Sequence, residues 1–327
     1  MNNDIDISEN DLLKDNPKVL EKLLLDHTTH KNIFWATDSY VDRGEGYAFN
    51  DAITIEHITG ENGKVIQPRA IKALAVQAQR SKDMAEVFTP SWICNAQNNL
   101  IDEAWFGRPN VFNIPNEDHT WTPVDGKIEF PEGKTWKDYV RDNRLEITCG
   151  EGPYLVSRYD TVSGEPINPL NMRIGILDRK LRIVSENIDK SGDWLEWAKE
   201  ALRSTYGFEW QGDNLLLARE AMFYTYCDYY EAKFGKRVPK QSLEGVAYII
   251  SWNLWQMDGL RFVIPGSCDN QYETSLFGDC KKIECPACKS GSTTGHIGIP
   301  CRIKDWKYTG ENESKLKPFF YTLVNKK

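Results

Sequence analysis

Leu145-Glu-Ile-Thr-Cys-Gly-Glu-Gly-Pro-Tyr-Leu155 is the stretch on which the fold turns. A short apolar segment runs into Gly150-x-Gly152, and a helical pattern follows. Glycines at such a turn let a ligand come up against the backbone where a side chain would block it. A lone Gly-x-Gly is more often just a tight turn, so its neighbours carry the weight. Some sixty residues earlier stands Glu86-Val-Phe-Thr-Pro90. Some sixty residues later, Tyr206-Gly-Phe-Glu-Trp-Gln-Gly-Asp213 reads as a strand ending in an acid, followed by a helix. Ile249-Ile-Ser-Trp-Asn-Leu-Trp-Gln-Met-Asp258 ends a further apolar strand in another acid. Strand-like and helical patterns thus alternate over 145–260, which is the signature of an α/β arrangement with a parallel sheet.

Outward from this unit the chain changes character. Ser8 and Asn16-Pro17 are start signals for two helices over 8–26. Segments such as Ala52-Ile-Thr-Ile-Glu predict short strands within 34–66, with Gly60 and Gly63 at turns. Residues 68–85 form a helical pattern whose Arg69, Lys72 and Arg80 fall within an arc of ~80°. A solvated face is the ordinary reading of such an arc, and contact with DNA phosphates the sharper one. Residues 108–140, rich in Pro, Asn, Trp and Gly, read as an ordered insertion. The expected organisation is an N-terminal, mostly helical segment (1–85), an α/β domain (86–265) and a small Cys-rich module (266–327).

Over 327 residues, 40 Lys and Arg stand against 48 Asp and Glu, a net charge of −8. That balance argues against coating nucleic acid by bulk electrostatics, although local basic patches still act. Aromatic residues make up 12% of the chain, including 11 Trp, which argues against disorder. Mean hydropathy is −0.54, and no apolar stretch approaches the ~18 residues of a membrane span. The acidic start, Met1-Asn-Asn-Asp-Ile-Asp, is unlike a secretory signal, so a cytoplasmic protein with no membrane partner is expected.

In order, these motifs resemble the adenine-specific, S-adenosylmethionine-dependent DNA methyltransferases of restriction–modification systems, in particular their modification (M) subunits. Phe88-Thr89-Pro90 is similar to the family's Phe-Thr-Pro. Glu146-Ile-Thr-Cys-Gly-Glu-Gly-Pro-Tyr-Leu155 is similar to its Asp-Pro-Ala-Cys-Gly-Ser-Gly-x-Phe-Leu loop, with Cys149, Gly150, Gly152 and Leu155 kept. Ile147 for Pro and Glu151 for Ser are departures. Tyr206-Gly207-Phe208-Glu209 is similar to the family's Tyr-Gly-x-acid step, and Asp258-Gly259-Leu260 to the motif at the adenine end of the cofactor. The likeness spans roughly 86–260, over half the chain. It implies a Rossmann-like methyltransferase domain in which Phe88, Thr89, Pro90, Glu146, Cys149, Gly150, Gly152, Glu209 and Asp258 hold S-adenosylmethionine. Glu146 would meet the cationic amino-acid end, and Glu209 would accept both ribose hydroxyls. Glu209 lies 59 residues beyond Gly150, against ~20 in dinucleotide folds, so Asp178 is a rival for that role.

The family's Asn/Asp-Pro-Pro-Tyr/Phe motif is missing. Its members use it to accept the N6 hydrogens of a flipped adenine and to stack on the base. Asn168-Pro169-Leu170 lacks both the second proline and the aromatic ring, and a surface turn suits it better. The chain therefore reads as such a methyltransferase, or as the cofactor-binding part of a split one. A partner subunit would then supply the acceptor loop or the specificity. The alternative is a non-catalytic DNA-binding or assembly subunit of the same fold.

Cys268, Cys280, Cys285, Cys288 and Cys301 fall within 34 residues. In a reducing compartment such clustering points to metal before disulfide. Cys285-Pro-Ala-Cys288 supplies two thiolates on one side of a Zn²⁺ tetrahedron. Cys301 is expected as the third ligand and Cys280 as the fourth, with Cys268 and His296 as rivals for the fourth place. Lys281, Lys282, Lys289, Arg302, Lys304 and Lys307 surround this zinc-ribbon-like module and suit DNA contact or simple solubility. His27-Thr-Thr-His30 and the pairs Trp194/Trp197 and Trp252/Trp255 read as structural. Cys149, with no recognisable His–Asp partner, is not read as a nucleophile.

Overall fold

The computed structural model describes residues 5–72, 74–84, 89–269, 271–274, 280–307 and 312–324. Helix α1 (Glu9–Asp15) starts at Ser8, whose hydroxyl accepts from Asp11 N at 3.2 Å. Pro17 then opens α2 (Pro17–Leu24), where its missing N–H is no loss. A two-residue ladder, β1 (Leu25–Asp26) with β2 (Lys31–Asn32), turns the chain back. The strands expected over 34–66 are absent among the described residues. There is an isolated bridge between Phe34 and Ala52, then the single helical turn α3 (Ile55–Ile58). Ile53 and Ile58 are fully buried, so alternation along this stretch marks what packs inward and not a ladder. The basic pattern after Pro68 begins as a 3₁₀ turn (Arg69–Ile71) and continues as α4 (Leu74–Met84).

Helix α5 (Ser91–Phe106) ends on Gly107 in the left-handed conformation. The Pro- and Asn-rich segment from residue 108 follows. It holds a hairpin of β3 (Asn113–Pro115) and β4 (Trp121–Pro123), then α6 (Trp136–Arg141). The central unit runs β5 (Arg144–Ile147), α7 (Ile176–Asn187), α8 (Ser191–Arg203), β6 (Thr205–Glu209), α9 (Gly212–Phe234), α10 (Lys240–Asn253) and β7 (Leu254–Gln256). Its three strands form a parallel sheet in the order β5-β6-β7, with Glu146 opposite Gly207 and Glu209 opposite Gln256. Parallel neighbours need crossovers, and the helices between them supply these. A small hairpin of β8 (Tyr272–Thr274) and β9 (Cys280–Lys282), then α11 (Pro286–Ser290), belongs to the Cys-rich end.

The core runs through α9, which is buried on nearly every side from Gly212 to Tyr230, as expected of a helix without a polar face. Arg219, fully buried in its middle, shows how such a helix can carry a charge. Its guanidinium donates to Leu254 O (2.7 and 3.0 Å), Ser251 O (3.2 Å), Leu25 O (3.1 Å) and Leu23 O. The carbonyls left over at the C-terminal ends of α2 and α10 thus find donors on one side chain. No helix among the described residues is long and apolar enough to cross a membrane.

Candidate functional site: a glycine turn and a Cys3His cluster

The C-terminal ends of the parallel strands bring one set of expected residues together. Cys149 N continues the ladder to Phe208 O at 2.8 Å. The chain then turns through Thr148, Gly150 and Gly152 at φ of 50°, 53° and 79°. A side chain on Gly207 would approach Leu155 Cδ1 at 3.0 Å and Cys149 Sγ at 3.2 Å, which accounts for the glycine beside Tyr206. Glu209, the last residue of β6, accepts from Gly150 N at 2.8 Å on one oxygen and from Gln211 N at 3.2 Å on the other. Burial raises its carboxyl to about 7 against the pull of these hydrogen bonds. Glu146 faces the far side of the turn and accepts from Leu155 N at 3.1 Å and Tyr154 N at 3.4 Å. Its pKa is also raised well above the ordinary value, by burial first and by Glu209 in addition. Cys149 is buried with its thiol pushed up by desolvation, so it is a packing residue and no nucleophile.

Asp258 lies just past β7 but turns onto its own loop, accepting from Leu260 N at 3.0 Å and Arg261 N at 3.1 Å. Asp178 sits in the first turn of α7, fully buried, where it accepts from Ser157 N at 2.9 Å. It ends no strand, and Glu209 holds the place at the glycine turn. Thr89 O accepts from Thr161 Oγ1 at 3.2 Å, and Pro90 precedes α5; Phe88 lies outside the described residues. Glu151, a departure from the family loop, has a use. Its carboxylate accepts from Arg69 N at 2.6 Å and Tyr159 Oη at 2.7 Å, tying the segment before α4 to the turn.

The basic arc on 68–85 does not face solvent as a whole. Arg80 is 3% exposed and lies 2.9 Å from Asp213 Oδ2, and it donates to Gln211 Oε1 at 2.7 Å. Lys72 lies 3.6 Å from the same Asp213 oxygen. Burial alone would raise the Asp213 carboxyl, but Arg80, Lys72 and the Tyr40 hydroxyl outweigh it and hold it down. Two of the three expected surface cations are therefore neutralised on the first turn of α9, immediately beyond Glu209.

The second cluster comprises Cys268, Cys285, Cys288 and His296, whose ligand atoms all lie within 4.8 Å of one another. His296 Nδ1 stands 3.4 Å from Cys288 Sγ, 3.6 Å from Cys285 Sγ and 3.7 Å from Cys268 Sγ. With metal bonds of about 2.3 Å to sulfur and 2.0 Å to nitrogen, the S–N edge of a zinc tetrahedron is about 3.5 Å. The three S–N separations thus match that edge. The other ring nitrogen of His296 faces Ser292 O at 2.9 Å, a hydrogen bond that leaves Nδ1 free to ligate. Desolvation opposes ionisation of Cys285, but hydrogen bonds led by the backbone N–H groups of Ile297 and Cys288 bring it down to about 6, toward the thiolate that metals bind. A side chain on Gly298 would meet Ser267 Oγ at 2.5 Å and Cys268 Sγ at 2.9 Å. The group could hold a metal such as zinc.

Cys301 is not part of it. It is fully buried, with Sγ 3.6 Å from Gln256 O, among Phe208, Trp255, Met257, Ile264 and Phe320. The expected third ligand is therefore a core residue. Cys268 and His296, weighed only for the fourth place, complete the set. The side chain of Cys280 lies outside the described residues. Of the surrounding cations, Lys281, Lys282, Lys289 and Lys307 are exposed. Arg302 instead lies over the Phe319 ring at 4.3 Å, and Lys304 bonds Tyr248 Oη at 3.2 Å. His27, stacked on Trp252 at 4.2 Å and bonded to Ser251, is structural, as are Trp194, Trp252 and Trp255 in the core.

Compared with family models, curated proteins and solved structures, the chain finds no match in any of the three.

Proposed function

We propose that this chain is an S-adenosylmethionine-dependent DNA methyltransferase acting on adenine N6, or the cofactor-binding subunit of a split one, in a restriction–modification or related defence system. The observation that carries the reading is the hydrogen bond from Gly150 N to the Glu209 carboxylate. It joins a glycine turn and an acid at the C-terminal ends of adjacent parallel strands. Ligands in open α/β sheets bind at that edge, and the sheet is read as the first part of a Rossmann-like domain. S-adenosylmethionine would supply an activated methyl group. Glu209, with two coplanar oxygens, would accept the ribose hydroxyls, and Glu146 would face the ammonium end. Each acid now accepts two backbone N–H groups, one on each oxygen, which leaves lone pairs for further donors. The Cys3His cluster would carry zinc and, with its exposed lysines, touch DNA in the cytoplasm.

The missing acceptor motif favours a second reading, a non-catalytic DNA-binding or assembly subunit. Calorimetric titration of the zinc-loaded protein with S-adenosylmethionine separates the two. Binding near micromolar, about −8 kcal/mol, is expected, with at least a tenfold loss for Glu209→Ala. A folded protein with no measurable binding sinks the methyltransferase reading.

A further inference from the structure

On the face formed by the start of α5, the β3–β4 hairpin and the loop over 158–172, the structure encloses an open pocket of about 420 Å³. Cavities of that size, largely apolar with a few converging polar groups, are where ligands and partner side chains lodge. Its walls are aromatic. The Trp92 ring, 39% exposed, stacks on His119 at 4.1 Å and 17°. Trp121 is fixed opposite by its indole N–H, which donates to Met172 O at 2.7 Å.

His119 occupies the left-handed position of the hairpin loop, at φ 67°, a place usually given to glycine or asparagine. Histidine is among the residues that tolerate this conformation, and the stack on Trp92 gives its ring a place in the pocket wall. Beside the neutral Ser91, Thr120, Ser163 and Asn168, the wall carries two acids. Asp160 accepts from Ser91 N, Val162 N and Ser163 N at 2.7–2.9 Å. Burial would raise it, but these hydrogen bonds outweigh that and hold it ionised. Glu165 stands exposed in the same wall, and Glu117 and Asp118 are exposed at the hairpin tip. No lysine or arginine lines the pocket among the described residues.

Aromatic faces beside carboxylates, with no lysine or arginine among the described residues to balance them, select a positive group and reject a phosphate. We propose that the pocket receives the guanidinium of an arginine presented by a partner protein. A guanidinium is flat and weakly hydrated, so it stacks on an indole and still meets a carboxylate edge-on; a lysine ammonium does not combine the two. Pro90, expected in the cofactor site, stands in the pocket wall, while Glu209 and the four residues of the Cys3His cluster do not line it; the adenosine probe below separates the two uses.

The test uses the full, zinc-loaded chain and follows the indole N–H resonance of Trp92, assigned by its loss in Trp92→Phe. N-acetyl-arginine amide should shift that resonance saturably in the millimolar range. N-acetyl-lysine amide should bind at least fivefold more weakly. Glu165→Gln, an exposed change that leaves the fold alone, should weaken the arginine probe severalfold, as should raised salt. Equal response to both amides, no saturable shift, or a shift with adenosine but not with arginine would each overturn the proposal.

Discussion

Replacing Glu209 by glutamine removes one buried charge while keeping the shape of the side chain. Burial raises this carboxyl from 4.5 to about 7. At roughly 1.4 kcal/mol for each tenfold change in ionisation, holding it charged in the folded protein costs about 3 kcal/mol. Below about pH 4.5 the group is protonated whether the chain is folded or not, and the penalty is absent. Between about 4.5 and 7 the unfolded chain gives up the proton and the folded chain keeps it, so stability falls as pH rises. Above about 7 the whole penalty is present. Glutamine carries no such penalty. Its single amide oxygen can serve only one of Gly150 N and Gln211 N well, a loss of about 1 kcal/mol at every pH. Glu209→Gln should therefore be slightly less stable than wild type near pH 5 and about 2 kcal/mol more stable near pH 8.5. Urea unfolding of both proteins across that range measures the difference, in which groups that do not feel Glu209 cancel, while Glu146, relieved of its neighbour's charge, shifts the difference the same way. A difference that stays constant with pH would refute the reasoning.

The cluster makes its own forecasts. Metal analysis of the purified protein should find one zinc per chain. Cys285→Ser should lose most of it together with thermal stability, whereas Cys301→Ala should keep the zinc and destabilise by about 1–2 kcal/mol through lost packing alone; loss of zinc on changing Cys301 would restore it as a ligand. Asp213→Asn should cost about 3–5 kcal/mol in denaturant unfolding, because Arg80 and Lys72 lose the buried carboxylate they share; a change below 1 kcal/mol would mean that Asp213 does not hold these cations.

What could be read in advance was local. The Ser8 cap, the proline at the start of α2 and the acid that ends β6 each leave a mark within a few residues. The alternation of strand-like and helical patterns was enough to expect a parallel sheet, although the strand read over Ile249–Asp258 is helix as far as Asn253 and extended only over Leu254–Gln256. Partner choice at a distance leaves no such mark. Cys301 has sequence spacing as good as that of Cys268, and what separates them is the apolar pocket of Phe208, Trp255 and Phe320 that closes over Cys301. His296 lies eight residues beyond Cys288, and the turn glycines Gly291 and Gly295, at φ 69° and 78°, are the one local hint that the chain doubles back there. The inward turn of Arg80 was invisible because its counter-ion, Asp213, lies on another helix. The alternation over 52–56 misled because one-sided burial looks alike in a strand and in an irregular segment pressed against a core.

The guanidinium of Arg219 has a consequence for how the protein can be cut. It joins carbonyls of residues 23 and 25 to those of 251 and 254, so the two ends of the loop it closes are more than two hundred positions apart. A fragment beginning at the sheet would carry a buried cation with part of its coordination removed, and α10 would lose the α2 surface it packs on. Expression boundaries drawn just ahead of the sheet should therefore yield aggregates. Co-expression of the missing N-terminal piece should rescue them, as two fragments of one interdigitated core. The same long closure predicts slow assembly, since α9 cannot settle until the first and the last thirds of the chain have met around it.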